Sequence, residues 1–182
     1  VHETDAELDA LDALLDGSFA AAGEHLTGII RPDRRLSARE LCAYLVGVRH
    51  FVVASTTATG EPRCSAVDTL LLRGHLWFTS SATSAKARQL ERRPATSLAH
   101  VRGDEVGVFV HGRVRVVRGA TEEAATLAPF WRDVYGGSTP EDWVDEPGQA
   151  RYFEVLPSAM YTYVFSRDRF EALLGTGDAA TS

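Results

Sequence analysis

Apolar positions along this chain follow a helical period in a few places and a strand period in many. Leu8, Leu11, Leu14 and Leu15 stand three or four apart among acidic residues, which predicts a peripheral helix ending near Gly17. Over 18–35 the pattern fades, and Arg31-Pro32-Asp33-Arg34-Arg35 reads as a turn. Ser37-Ala38-Arg39-Glu40 then has the spacing of a capping box, and the helix it opens presents Leu41, Tyr44, Leu45 and Val48 on one face. After that the period changes. Residues 50–56 are β-branched and aromatic, and strands over 62–72 and 75–79 follow across turns at Thr59-Gly60 and Arg73-Gly74. A fourth strand, 95–101, ends at Arg102-Gly103-Asp104.

The fifth strand has the clearest pattern. Val106, Val108, Val110, Val114 and Val116 alternate with Gly107, Phe109, His111, Arg113 and Arg115. A strand this long must bend, and Gly107 and Gly112 are the expected places for a bulge or a barrel corner. Residues 122–135 return to helical spacing through Leu127, Phe130, Trp131 and Val134 and stop at Gly136-Gly137. A loop over 138–148 and a closing pair of strands, 151–156 and 159–165, complete the pattern. Strands with antiparallel turn spacing and few helices predict a mainly β fold, a small barrel with peripheral helices. The barrel domain is expected over 37–174, after a helical extension at 1–36 and before a flexible polar tail at 175–182.

Composition narrows the functions such a barrel can serve. With 182 residues, 45% of them hydrophobic and 24% charged, the chain suits one domain. A net charge of -6 with no long basic run argues against nucleic-acid binding. No apolar run approaches the roughly 20 residues that span a bilayer, and the acidic start does not resemble a signal peptide, so no membrane association and a cytoplasmic location are expected. Cys42 and Cys64 lack metal-ligand spacing and are expected to be reduced and buried. The histidines at 2, 25, 50, 75, 100 and 111 form no paired ligand motif, so no metal site is predicted. Nucleophile-elbow, P-loop and dinucleotide-binding glycine motifs are all missing. His111 is a weak candidate proton donor. Asp68, among apolar neighbours, calls for a partner such as Arg63, Arg113 or a ligand N–H. Trp131 and Trp143 suit core packing better than a pocket cover.

One stretch carries chemistry of its own. Thr79 to Pro94 passes from a strand through hydroxyl-bearing residues into a helix that Ser84 would cap, with Lys86 in its first turn. Unpaired N–H groups and the helix dipole make such a start a site for anions. Lys86 is the only lysine beside 18 arginines, and a cation at the positive end of a dipole makes sense when an anion sits between them. The alternative is a capped surface helix with a solvated lysine.

Strand, Gly60 turn and strand, then Thr79, then Ser84-x-Lys86-Ala87-x-Gln89-Leu90-Glu91-x-x-Pro94, and a hairpin ending in His111-Gly112-Arg113-Val114 resemble the pyridoxamine 5'-phosphate oxidase-like split-barrel family from Phe51 to Val117, and more weakly on to Phe165. The resemblance implies a six-stranded antiparallel split β-barrel. It also implies a homodimer that holds FMN, or the deazaflavin coenzyme F-420, at the subunit interface. By the same resemblance Arg63 opens the cofactor segment, Cys64, Ser65, Ala66, Val67 and Asp68 run beside the ring, Phe78, Thr79 and Ser80 end the third strand, and Ser84 and Lys86 hold the phosphate. Ala85 stands where the family's oxidases carry an arginine, and Gly107 where they carry a glutamine near the ring. The implied activity is therefore a flavin- or deazaflavin-dependent oxidoreductase acting on a small molecule, distinct from pyridoxamine phosphate oxidation. Alternatives are a non-catalytic flavin, deazaflavin or haem carrier, and a degenerate member that binds no cofactor.

Overall fold

Six strands pair antiparallel and close into one barrel in the order β1-β2-β3-β6-β5-β4. They are β1 (Arg49–Thr56), β2 (Pro62–Leu72), β3 (His75–Ser81), β4 (Ala95–Arg102), β5 (Val106–Arg118) and β6 (Ala150–Val164). This computed structural model describes residues 3–175, so the expected tail lies outside the described residues from 176 onward. Alternation decides what fills the barrel. Phe51 and Val53, Leu76 and Phe78, Val108 and Val110, and Phe153 and Val155 all turn inward and are buried in one core.

The expected closing pair of strands is instead one continuous strand, β6, paired with β5 on both sides of an irregularity. Pro157-Ser158 reads as a turn in sequence because proline lacks a ladder donor. Here it occupies a bulge, where that loss is tolerated. His111 pairs with Ala159 and Gly112 with Pro157, so Ser158 is the extra residue. Gly112 is needed opposite it, since a Cβ there would lie 2.2 Å from the Leu156 carbonyl oxygen.

Helices close the barrel's surroundings. α1 (Asp5–Ala20) buries Leu8, Leu11 and Leu15 in the same core as the barrel interior, so the N-terminal extension packs as part of the fold. It runs past Gly17 because Ser18 is buried, donating to the Leu14 carbonyl and accepting from the Met160 N–H on β6. The stretch over which the pattern fades holds a short helix, α2 (Glu24–Ile29). α3 (Ala38–Tyr44) starts at the capping box on Ser37 and Glu40, as its sequence predicts. α4 (Ala85–Arg92) inserts Ala87 and Leu90 into the main core. α5 (Glu122–Val134) builds a second core on the outer face of the sheet, where Trp131 packs with Leu70, Leu72, Trp77, Val117 and Tyr152. This double coverage explains why β2 ends in four consecutive buried residues. α6 (Arg167–Gly175), which the sequence pattern did not reveal, buries Phe170 against Tyr44. Among the described residues no helix is long and apolar enough to cross a membrane.

Candidate functional site

A groove of about 480 Å³ lies where β2 and β3 pass the start of α4 and face the segment that follows α5. His50, Ala66, Asp68, Thr79, Ser80, Lys86 and Trp143 line it. Its cationic end is built by the N-terminus of α4. Ser84 caps that helix, its Oγ accepting from the Ala87 N–H at 3.1 Å and sharing a 2.8 Å bond with the Ser80 hydroxyl. Gln89, one helical turn on, is tied to Ser55 on β1 at 2.6 Å and fixes the helix against the barrel. Lys86 reaches back across β2 and donates to the Ala66 carbonyl at 3.4 Å. Burial pushes its ammonium below the ordinary lysine value, partly opposed by the attraction of Asp68. A partly desolvated ammonium with one long bond to a neutral carbonyl, beside a helix N-terminus, has donor capacity left for an anion. These residues fit a phosphate.

The other end is built around Asp68. Neither arginine suggested by the sequence reaches it. Arg63 is held at the hairpin tip by Glu61 at 2.8 Å and by its own Pro62 carbonyl, and Arg113 sits opposite Ala95 and Leu156 on β5. Asp68 instead accepts from the Tyr135 hydroxyl at 2.6 Å and pairs with Nδ1 of His50 at 2.8 Å. Burial and the bond to Asp68 push the Tyr135 hydroxyl well above the usual tyrosine range, so it stays a donor. Tyr135 is positioned from behind, stacked on fully buried Trp131 at 5.9 Å, and from the side by the edge of Trp143 at 4.7 Å. The two tryptophans therefore divide the roles weighed for them. Trp131 is core, and half-exposed Trp143 forms a groove wall, on a segment tied down by the Tyr152 hydroxyl bond to Glu141.

Ala66, Asp68, Thr79, Ser80 and Lys86 thus meet in one groove, with Ser84 adjoining through Ser80 and Val67 contributing at its floor. Others do not join them. Phe78 is fully buried and stacked on Phe153 at 4.8 Å, because the strand alternation that points Thr79 outward points Phe78 into the barrel. Arg63, Cys64 and Ser65 lie nearer the β1–β2 turn and do not line the groove. Cys64 is exposed there, contrary to the expectation of burial, while Cys42 is buried. Gly107 pairs with Tyr163, eleven residues along β6 from the Tyr152 that pairs with Thr79, about 35 Å of strand. Its small size serves Phe109, whose ring would lie 2.8 Å from a Cβ at that position. His111 bonds Ser97 at 2.8 Å and faces a different groove. His50 and Tyr135 were missed. The first was within reach: five residues, 57–61, separate the strands, and counting back from Thr56 opposite Pro62 places His50 opposite Asp68. Tyr135 arrives from a distant helix, and no local signal marks it.

Known proteins place this architecture. A family model for pyridoxamine 5'-phosphate oxidase matches residues 39–162. A search of curated proteins gave no significant match. Among solved structures, a conserved hypothetical protein from Mycobacterium tuberculosis is 23% identical with a TM-score of 0.61, covering 74% of this chain and 88% of its own. A protein named F420 reductase is 21% identical with a TM-score of 0.50, covering 65% of this chain and 93% of its own. A heme binding protein from Mycobacterium smegmatis is 18% identical with a TM-score of 0.54, covering 78% of this chain and 61% of its own. These likenesses establish the fold. With the sequence match spanning the barrel and the groove, the chain belongs to the pyridoxamine 5'-phosphate oxidase family.

Proposed function

We propose that the groove holds FMN or coenzyme F-420 and that the protein is a flavin- or deazaflavin-dependent oxidoreductase acting on a small molecule. The observation that carries this reading is Lys86, partly buried at the start of α4 with a single long bond to the Ala66 carbonyl and donors left over for an anion. Ser80, Ser84 and Lys86 would hold the phosphate, and the outer face of β2 at Ala66 and Asp68 would run beside the ring. The bound cofactor supplies the hydride chemistry, while the chain supplies position and electrostatics. Ala85 and the absence of Arg63 from the groove leave fewer cations than a pyridoxamine phosphate oxidase carries by resemblance, which argues against that activity. Titration with FMN and with coenzyme F-420, followed by fluorescence, tests the reading. Saturable micromolar binding of either supports it, and failure of both sinks it.

The second reading is a carrier without turnover for the same ligands or for haem, prompted by the name of the M. smegmatis structure. Haem binding together with no redox activity toward small acceptors would favour it. Either way, we expect a two-fold homodimer. An apolar groove of about 410 Å³, lined by Ile29, Phe109, His111, Tyr161 and Tyr163, supports this, because a second copy would cover it. A stable monomer in gel filtration at micromolar concentration would count against it.

A further inference from the structure

Two side chains from other elements meet the Asp68 carboxylate of β2 in the groove: His50 from β1 and Tyr135 from just beyond α5. An exposed cross-strand ion pair needs no third partner and contributes little. Here the third partner is a tyrosine anchored on a buried tryptophan, and its hydroxyl occupies one carboxylate oxygen while the imidazole takes the other. That arrangement fixes the histidine. An ionised carboxylate only accepts, so the proton of neutral His50 sits on Nδ1, and Nε2 is left as an acceptor on a ring that lines the groove. The backbone of His50 is fixed as well: its carbonyl accepts from Nδ1 of buried His100 at 2.9 Å, and His100 Nε2 is bonded to the Tyr44 hydroxyl at 2.8 Å.

We propose that Nε2 of His50 is the proton-carrying atom of this groove, with Asp68 and Tyr135 as the residues that position it. This rests on the cofactor reading above. The substrate class that follows is a polarised double bond, as in an enone or an imine. The reduced cofactor, when bound, would supply a hydride, with its electron pair, to one carbon. The proton from the His50 imidazolium adds to the far end of the conjugated system, so the substrate gains two hydrogens and His50 becomes neutral. The charged and titratable groups around the ring are Asp68 on β2, Lys86 on α4, Tyr135 after α5, and His100 behind the strand.

The intact chain allows two measurements. Nitrogen-15 NMR of histidine-labelled protein is expected to show neutral His50 as the Nδ1–H tautomer, shifting toward Nε2–H in Asp68→Asn. A predominant Nε2–H form in the unaltered protein would overturn the proposal whatever the cofactor result. With the chemically reduced cofactor bound and cyclohex-2-enone as acceptor, His50→Ala should bind cofactor within about 3-fold of the unaltered protein yet turn over at least 100-fold more slowly. That loss matches the usual contribution of general acid catalysis, and added imidazole should restore part of it. Equal turnover, or a cofactor-bound protein that does not reduce the enone at all, overturns the proton role and leaves the cofactor reading standing. Failure of both cofactors to bind overturns both.

Discussion

The polar groove and the apolar groove have similar volumes, about 480 and 410 Å³, and opposite construction. Behind the polar one, side chains are held by buried partners: Tyr135 rests on Trp131, the His50 carbonyl on His100, and α4 on its Gln89 bond to Ser55. The apolar one is held from its edges, His111 by its bond to Ser97 and the Tyr163 hydroxyl by Arg34. Ile29 and Phe109 are 47% and 36% exposed, and little but packing determines where they sit. A site that must place a charged ligand needs its hydrogen-bonding groups fixed before binding, since ordering them afterwards costs affinity. A surface that only excludes water gets its shape from whatever covers it. The first groove is therefore where the chemistry is expected, and the second is where a partner copy is expected.

The contrast is most severely tested by removing the backing. Trp131→Ala empties the fully buried centre of the second core and is expected to cost about 3–5 kcal/mol of stability, read as a large drop in the thermal midpoint. Tyr135 loses its stacking partner, so ligand affinity should fall in the polar groove while self-association persists. A variant that kept full affinity would show that the groove does not depend on this column. Lys86→Ala comes next. It should weaken cofactor binding by about 1.5–3 kcal/mol, the range for a hydrogen bond to a charged group, in a fluorescence titration. Unchanged affinity would move the phosphate elsewhere. Ser84→Ala removes the cap of α4 and should cost about 1 kcal/mol in urea unfolding. A drop in ligand affinity beyond that would mean that the hydroxyl also meets the ligand.

The same contrast explains what could be read from the sequence. Strand periods, the Ser37 and Ser84 caps and the run of valines in β5 are local features, and the barrel follows from them. The α4 end of the groove was legible for the same reason, since Ser84 and Lys86 share one helical turn. The end around Asp68 was only half legible. Asp68 stood out as a carboxylate among apolar residues, but its partners come from other elements, and charge alone pointed wrongly to Arg63 and Arg113. Gly107 misled in a similar way. The resemblance sets it near a ring, whereas within the chain the space beside it is filled by the side chain of Phe109. Pro157-Ser158 imitated a turn because a bulge and a turn use the same residues, and only the β5 partner distinguishes them.

The last test is confined to acid pH and addresses the support behind His50. His100 is buried, and that burial, helped by nearby Arg49 and Arg102, lowers its basicity against the raising effect of its bond to the His50 carbonyl. The carbonyl can only accept, so the Nδ1 proton is committed to it, and Nε2 of the neutral ring accepts a hydrogen bond from the Tyr44 hydroxyl. In the unfolded chain His100 binds a proton at the ordinary histidine value, 6.5, while the folded chain resists it to lower pH. The unfolded state therefore holds more protons across that window, and stability rises with pH there. The contribution is complete above pH 6.5 and is lost as pH falls through the lowered folded value. Urea midpoints from pH 7.5 down to about 5 should decline in the unaltered protein and decline less in His100→Gln. Because protonation of Nε2 cancels the acceptor of the Tyr44 hydroxyl, ligand affinity in the polar groove should weaken only as pH falls through the lowered folded value. In a His111→Gln background, which removes the histidine lining the apolar face, self-association should stay constant, and parallel loss of both would mean that the two grooves do not have independent supports.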